Sequence, residues 1–235
     1  MPCFDIVRNV DVDESPSFRV SSIINNFDLD VSNIHEHFTG NIAIEDKEWN
    51  VGLIVGGSGT GKSTIAKEVF PDAYTCGYEY TNNPIIDDMP RSKSLKEIER
   101  TFTSVGFASP PSWLKLYSVL SNGEKMRVDL ARAILDDNDL IVFDEFTSVV
   151  NREVAKTSSY AISKAVRKLG KQFVAVACHK DITEWLEPDW IYDTDEKRFF
   201  SQRENSTVPK CNLKYTGLIA QLKDRYGQYS ASIII

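Results

Sequence analysis

VGLIVGGSGTGKSTIAKEVF, Val51 to Phe70, is the stretch from which the fold is read. Val51 to Val55 are apolar or glycine without alternation, as expected of a strand covered on both faces. The run stops at Gly56–Gly57. KSTIAKEVF then has the make-up of a helix and is stopped by Pro71, whose ring cannot continue one. Between strand and helix, GGSGTGKS (Gly56 to Ser63) matches the pattern G-x-x-x-x-G-K-[ST]. Glycines let successive backbone N–H groups turn inward onto phosphate oxygens, and the helix that follows adds the positive end of its dipole. In this pattern Lys62 reaches the β- and γ-phosphates as a point charge, and the Ser63 hydroxyl binds Mg²⁺. A glycine-rich turn with an exposed lysine is the plainer reading, but the flanking strand and helix weigh against it. The candidate nucleotide-binding residues are therefore Gly56, Gly57, Ser58, Gly59, Thr60, Gly61, Lys62, Ser63 and Thr64.

DLIVF (Asp139 to Phe143) and FVAVA (from Phe173) are two more apolar strands without alternation. A helix is predicted from Asn151 to Leu169, with Ile162, Ala165, Val166 and Leu169 as its apolar stripe and Gly170 beyond it. Ser94-Leu-Lys-Glu97 and Ser121-Asn-Gly-Glu124 are capping boxes, each opening a helix. The first carries Leu95, Ile98, Phe102 and Val105 on one face and stops at Gly106; the second carries Met126, Leu130, Ala133 and Ile134. Gly77 to Arg91 reads as a loop, and WIYD with RFF as a hairpin around Asp195. The first ~50 residues read as a short β region, with strand-like runs at PSFRVSSII (from Pro16) and NIAIE (from Asn41). A short helix is expected near Leu218 to Tyr226. Strand–helix alternation with apolar strands predicts a parallel α/β core.

Two carboxylates narrow the chemistry. LIVFDE (Leu140 to Glu145) is an apolar strand ending in Asp144 and Glu145. Asp144 suits the Mg²⁺ shell. Glu145 suits the orientation or activation of an attacking water, since in-line attack needs a carboxylate near the γ-phosphate but outside that shell.

LSNGEKMRVDLARAIL, Leu120 to Leu135, resembles the signature segment of the ABC-type ATPases, LSGGQ followed by a helix with an LARA run. Ser121, Gly123 and Leu130 to Ala133 match; Asn122 and Glu124 stand where glycine and glutamine are usual. The capping box and the signature are compatible, because a capped helix start beside a glycine is also an anion site. In the same order come FTSVVN after Glu145, similar to the family's D-loop, and His179 at the end of a strand, where the family has its γ-phosphate histidine. The resemblance covers roughly Phe18 to Phe200. It implies an ABC ATPase-like P-loop NTPase core, α/β, with a small antiparallel β part and a helical subdomain. It also implies a head-to-tail dimer holding two ATP molecules between one subunit's phosphate loop and the other's Ser121 and Gly123, with Glu145, His179 and Lys62 catalytic. The expected layout is an ATPase domain over 1–205, its helical subdomain about 92–135, and a tail over 206–235.

The departures from the family are informative. No glutamine lies between Ser63 and Ser121, so Asn82, Asn83, Asp87 or Asp88 must replace the usual Q-loop residue. The helical region is short, one or two helices from Ser94 to Val119. Phe27 and Phe38 are the candidates for stacking on adenine, or else core residues. FRVSSIINNFD, WNVGLIVGGSGTGKSTIAKEVF and CHKDITEWLEPDWIYD are similar to stand-alone ABC ATPases of bacterial and phage genomes, some fused to an acetyltransferase-like domain; the stretch after Val208 is too short for such a domain.

With 235 residues, 42% of them hydrophobic, the chain can bury a sizeable core without disulfide or metal support. No apolar run approaches the ~18–20 residues of a membrane-spanning helix, and MPCFDIVRNV lacks the apolar region of a secretory signal. Cys3, Cys76, Cys178 and Cys211 form no metal-type pair and fit a reducing cytoplasm. A net charge of −7 is not that of a generic nucleic-acid coat, although a local basic patch is still open, and the absence of long heptad runs speaks against a chromosome-maintenance ATPase. The expectation is a soluble cytoplasmic ATPase that hydrolyses MgATP, dimerises on it and drives an unknown soluble partner. A membrane-transporter subunit and a nucleic-acid-handling ATPase are the alternatives.

Overall fold

The computed structural model describes residues 3–9, 17–28, 35–44, 48–75 and 77–201. The tail over 206–235, the helix expected near Leu218, Cys76 and Cys211 lie outside the described residues.

The main sheet has six strands in the order β4-β5-β6-β3-β7-β8. These are β3 (Val51–Val55), β4 (Tyr74–Thr75), β5 (Leu140–Phe143), β6 (Gln172–Ala177), β7 (Trp190–Asp193) and β8 (Arg198–Ser201). The first five are parallel and β8 turns back antiparallel on β7, with Asp193 opposite Arg198. Every residue of β3 is buried, and β6 is buried from Phe173 onward. Fully burying one such branched side chain stabilises the fold by about 1.5–3 kcal/mol, which is why these runs take the centre of the sheet.

Helices follow the strands. α2 (Lys62–Val69) follows β3, and α6 (Arg152–Leu169) joins β5 to β6, starting at an Asn151 cap and ending at Gly170 in the left-handed region. Both expected capping boxes form, at α3 (Leu95–Ser104) and α5 (Asn122–Leu135). Between them lie only the four-residue α4 (Pro110–Trp113) and a 3-10 turn at Tyr117–Val119. A four-residue α7 (Thr183–Leu186) precedes β7. Ile98, Phe102 and Val105 are buried as the periodicity predicts, as are Ile162, Ala165 and Val166. Leu95 and Leu169 are not: they are the first residue of α3 and the last of α6, where the apolar stripe runs past the core, and they stay 59% and 55% exposed.

The N-terminal region departs from the expected strands. FRVSSIINNF forms a helix, α1 (Phe18–Phe27), capped by Ser17, whose hydroxyl accepts from Val20 N. Val20, Ile23 or Ile24, and Phe27 recur at helical spacing, so a short β-branched run reads equally as helix or strand. The second strand is β2 (His35–Asn41) rather than NIAIE; it pairs antiparallel with β1 (Cys3–Asn9), Phe4 facing Gly40. Ile42 and Ile44 lie beyond the strand yet join the core with Phe4, Trp49, Ile54, Trp190 and Tyr192.

A half-buried ion pair pins the start of the central strand. Asp189 accepts from the backbone N–H of Asn50 and Val51 at 2.8 and 3.0 Å and from Arg167 Nη1 at 3.0 Å. Burial by itself would raise this carboxyl, but the two N–H donors and the guanidinium outweigh it and hold it below the usual carboxylate range.

Candidate functional site

The parallel register brings three loops to one edge. β5, β6 and β3 are neighbours, and at their carboxyl ends stand Asp144–Glu145, Cys178–His179 and Gly56–Gly61 respectively. Adjacent strands lie about 4.8 Å apart, so three separate stretches of sequence meet at the carboxyl edge of the sheet, the edge at which open α/β sheets bind ligands.

The phosphate loop has the backbone its glycines allow. Gly59 and Gly61 sit at φ 80° and 83°, and Gly61 is the N-cap of α2. A Cβ on Gly61 would lie 2.4 Å from the Phe38 ring. Phe38 is thus a half-buried prop beneath the loop, whereas Phe27 is 69% exposed on α1. Lys62 Nζ arches back to donate to the Gly57 carbonyl. Thr60 Oγ1 donates to the same carbonyl at 2.9 Å and lies 2.6 Å from Thr194 Oγ1. Ser58 and Gly59 stand exposed at the tip, while Ser63 and Thr64, on the first turn of α2, are partly buried.

Asp195, in the β7–β8 turn, was not among the expected site residues. It accepts from Gly57 N at 2.8 Å and pairs with Lys180 Nζ at 3.0 Å; Lys180 also bonds Asp193 Oδ2 at 2.7 Å. Burial by itself would raise the Asp195 carboxyl, but the Gly57 N–H, Lys180 and Lys62 hold it low. Nothing in the spacing of WIYD and RFF marks this residue, because its role depends on the hairpin lying beside the loop.

Asp144 is 7% exposed, and its Oδ1 accepts from Glu145 N at 2.8 Å. Glu145 takes φ 52°, in the left-handed region, and is exposed. Such a conformation costs a non-glycine residue of order 1–3 kcal/mol; here it falls in the turn that directly follows β5. His179 is exposed beyond β6, and Cys178 Sγ lies 3.4 Å from Ser148 Oγ, linking the segments that follow β5 and β6.

Ser121 caps α5: its hydroxyl lies 3.3 Å from Glu124 N, and Glu124 Oε2 accepts from Ser121 N at 3.0 Å. These bonds from Ser121 hold the Glu124 carboxyl low. A Cβ on Gly123 would lie 3.1 Å from Val154 Cγ1, so the start of α5 rests against α6. Of the Q-loop candidates, Asp88 spends its carboxylate locally, accepting from Thr81 N at 2.9 Å and Thr81 Oγ1 at 2.7 Å. Tyr80 of this loop turns instead to α5, alongside Tyr117 of the 3-10 turn. Tyr80 and Tyr117 stack at 3.8 Å, and their hydroxyls donate to the buried Asp129 at 2.7 and 2.8 Å. Burial pushes both phenols and the Asp129 carboxyl up.

The residues fit a magnesium nucleotide. Backbone N–H groups at a helix start and Lys62 suit phosphate oxygens, while the Ser63 hydroxyl and the fixed Asp144 carboxylate are the hard oxygen donors that Mg²⁺ takes.

No model of a known protein family matches the chain. The ABC multidrug transporter atrD of Emericella nidulans is 32% identical over 101 residues, 43% of this chain and 7% of that protein. The methionine import ATP-binding protein MetN 2 of Rhodococcus jostii is 28% identical over 99 residues, 42% of this chain and 28% of that protein. The chain therefore spans less than a third of either relative. Among solved structures, cbiO1 from Clostridium perfringens, part of the ABC transporter complex cbiONQ, superposes with a TM-score of 0.56 at 16% identity, covering 80% of this chain and 91% of that one. The post-hydrolysis dimer of the ATP-binding cassette MJ0796 bound to ADP and Pi gives 0.54 at 15% identity, over 71% of this chain and 92% of that one. A bacterial Atm1-family ABC exporter with ATP bound gives 0.54 at 20% identity, over 75% of this chain and 37% of that one. Among the described residues no helix is long and apolar enough to cross a membrane. The architecture of this chain is that of the ATP-binding cassette of the ABC-type ATPases.

Proposed function

We propose that this chain binds MgATP, dimerises on it head to tail and hydrolyses it. The observation that carries the reading is the shared sheet edge, where the phosphate loop, the Asp144–Glu145 pair and His179 follow three adjacent parallel strands. Gly56 to Thr64 hold the phosphates, with Lys62 neutralising charge that builds on the γ-phosphate. Ser63 and Asp144 would hold Mg²⁺, which when bound would supply charge neutralisation for the phosphates. Glu145, in the turn that directly follows β5, accepts a hydrogen bond from the attacking water and aims it in line. His179 donates to the γ-phosphate. Ser121 and the N–H groups that start α5 meet the γ-phosphate of the nucleotide held by a second copy. Solved cassettes of this fold that are dimeric support dimerisation.

A second reading, the ATP-binding subunit of a membrane transporter, is favoured by the names of the relatives, which are transporters or import ATP-binding proteins. Phosphate release from MgATP by the purified chain tests the first statement: turnover that disappears in Asp144→Asn supports it, and no nucleotide binding by calorimetry refutes it. Recovery of the chain with the membrane fraction in an ATP-dependent manner separates the second reading from the first.

A further inference from the structure

The hydroxyl of Tyr74 donates a hydrogen bond to Oδ2 of Asp144. Strand register explains the contact. Tyr74 on β4 pairs with Val142 on β5. Alternate residues share a face, so Val142 and Asp144 point the same way and the ring of Tyr74 runs along that face to the carboxylate. The ring packs against the core cluster that holds Val142, Ile65 and Ala66, and Lys67 Nζ of α2 lies 4.9 Å from its centroid. One face of the tyrosine is therefore held by the helix that the phosphate loop opens, and its hydroxyl by the carboxylate that ends β5. Asp144 is fixed from other directions as well. Its backbone N–H donates to Thr75 O at 3.0 Å, and its Oδ1 accepts from Glu145 N at 2.8 Å.

A carboxylate with one oxygen bonded can still swing about its Cβ–Cγ axis. With both oxygens bonded, its plane is set and the remaining lone pairs face one direction. We propose that Tyr74 is a positioning residue for the divalent cation: it orients Asp144 so that the carboxylate meets the metal without reorganising. This rests on the reading of Asp144 as a magnesium-binding residue. Loss of such an outer partner of a metal ligand typically weakens metal affinity about 10–100-fold. A tyrosine that merely satisfied a buried carboxylate would affect the fold but not specifically the metal.

The test measures nucleotide affinity, not turnover. A fluorescent ATP analogue is titrated into the wild-type chain and Tyr74→Phe, first in EDTA and then over a series of free Mg²⁺ concentrations. Phenylalanine keeps the ring, and circular dichroism confirms the fold. Affinity in EDTA should be the same for both proteins, because Lys62 and the loop are intact. The free Mg²⁺ needed for the half-maximal gain in affinity should rise about tenfold in Tyr74→Phe. In an Asp144→Asn background the same substitution should change nothing. An unchanged Mg²⁺ requirement overturns the inference. A loss of affinity in EDTA, or an equal effect in the Asp144→Asn background, overturns it too, since the tyrosine would then be acting on the fold at large. A wild-type chain that binds the analogue without any response to Mg²⁺ sinks the magnesium reading itself, and is distinguishable from these because it appears before any variant is made.

Discussion

Asp195 accepts a hydrogen bond from the backbone N–H of Gly57 at 2.8 Å, so the β7–β8 turn braces the first half of the phosphate loop. Lys180 neutralises the brace from the other side. Asp195→Ala should free that N–H and loosen the loop without removing a phosphate ligand. The expected outcome is faster amide hydrogen exchange at Gly57 and a fall in ATP affinity of no more than about tenfold, the worth of one modest hydrogen bond. Exchange as slow as in the wild type would show that the turn does not brace the loop.

Lys62 is the residue whose loss should be felt most in binding. Lys62→Ala removes the one side-chain cation of the loop and leaves the glycine backbone as it is. A hydrogen bond to a charged group contributes about 1.5–3 kcal/mol, so calorimetry should show MgATP affinity reduced at least ~10-fold. Unchanged affinity would remove Lys62 from the phosphate site.

At Ser121, two consequences can be separated. As the α5 cap it contributes about 1 kcal/mol to stability, so Ser121→Ala should lower Tm by a few degrees. As a group that meets a γ-phosphate across a dimer, its loss should reduce turnover well beyond what that destabilisation explains. If Tm falls and the hydrolysis rate does not, Ser121 is a helix cap only.

The capping boxes show what was legible from sequence. Ser94–Glu97, Ser121–Glu124, Asn151 and Gly170 act through neighbours a few residues away, so their spacing alone specifies them. The phosphate loop was readable for the same reason, with its strand and helix on either side. What escaped was everything set by tertiary register. Asp195 reaches Gly57 only because β7 lies beside β3, and Tyr74 reaches Asp144 only because β4 pairs with β5. Most of the strand-like run expected at PSFRVSSII lies in a helix, Phe18–Phe27, because a short apolar run fits both periods. Leu95 and Leu169 sit on the stripe that periodicity draws, yet the core ends before the helices do.

The Asp189–Arg167 pair predicts the acid limb of the stability curve. The folded-state pKa of Asp189 is depressed. Its contribution is therefore fully present above the ordinary Asp value of about 3.9 and is lost as the pH falls through the lower folded value. Hydrogen bonds to a charged group contribute about 1.5–3 kcal/mol, and because the pair is only half-buried, Asp189→Asn, which keeps the shape and one acceptor, should cost about 1 kcal/mol at pH 7. Urea unfolding from pH 7 to pH 3 should show the gap between wild type and Asp189→Asn closing only below about pH 4. A gap that stays constant over this range would mean that the charge of Asp189 contributes nothing to stability.

Dimerisation on ATP, gated by Glu145, is the most demanding expectation. The start of α5 leans on α6, with Gly123 against Val154, while Lys62 and Gly57 stand at the end of β3. In the proposed arrangement one nucleotide is gripped by the loop of one copy and by Ser121 of the other, so the γ-phosphate joins the two subunits. Hydrolysis removes that phosphate and should let them part. Glu145→Gln keeps the size of the side chain and leaves Asp144 and Lys62 in place, so nucleotide binding should persist. It removes the negative charge that orients the water, so hydrolysis should slow by about 10²–10⁴-fold, the usual contribution of a positioned acid–base group. The variant should therefore accumulate as a dimer in MgATP and stay so, while the wild type passes through a dimer and returns toward monomer as ATP is consumed. Light scattering during size-exclusion chromatography reads both. A Glu145→Gln protein that remains monomeric in saturating MgATP, with binding shown by calorimetry, would leave nucleotide-driven dimerisation without support and return Ser121 to the role of a helix cap.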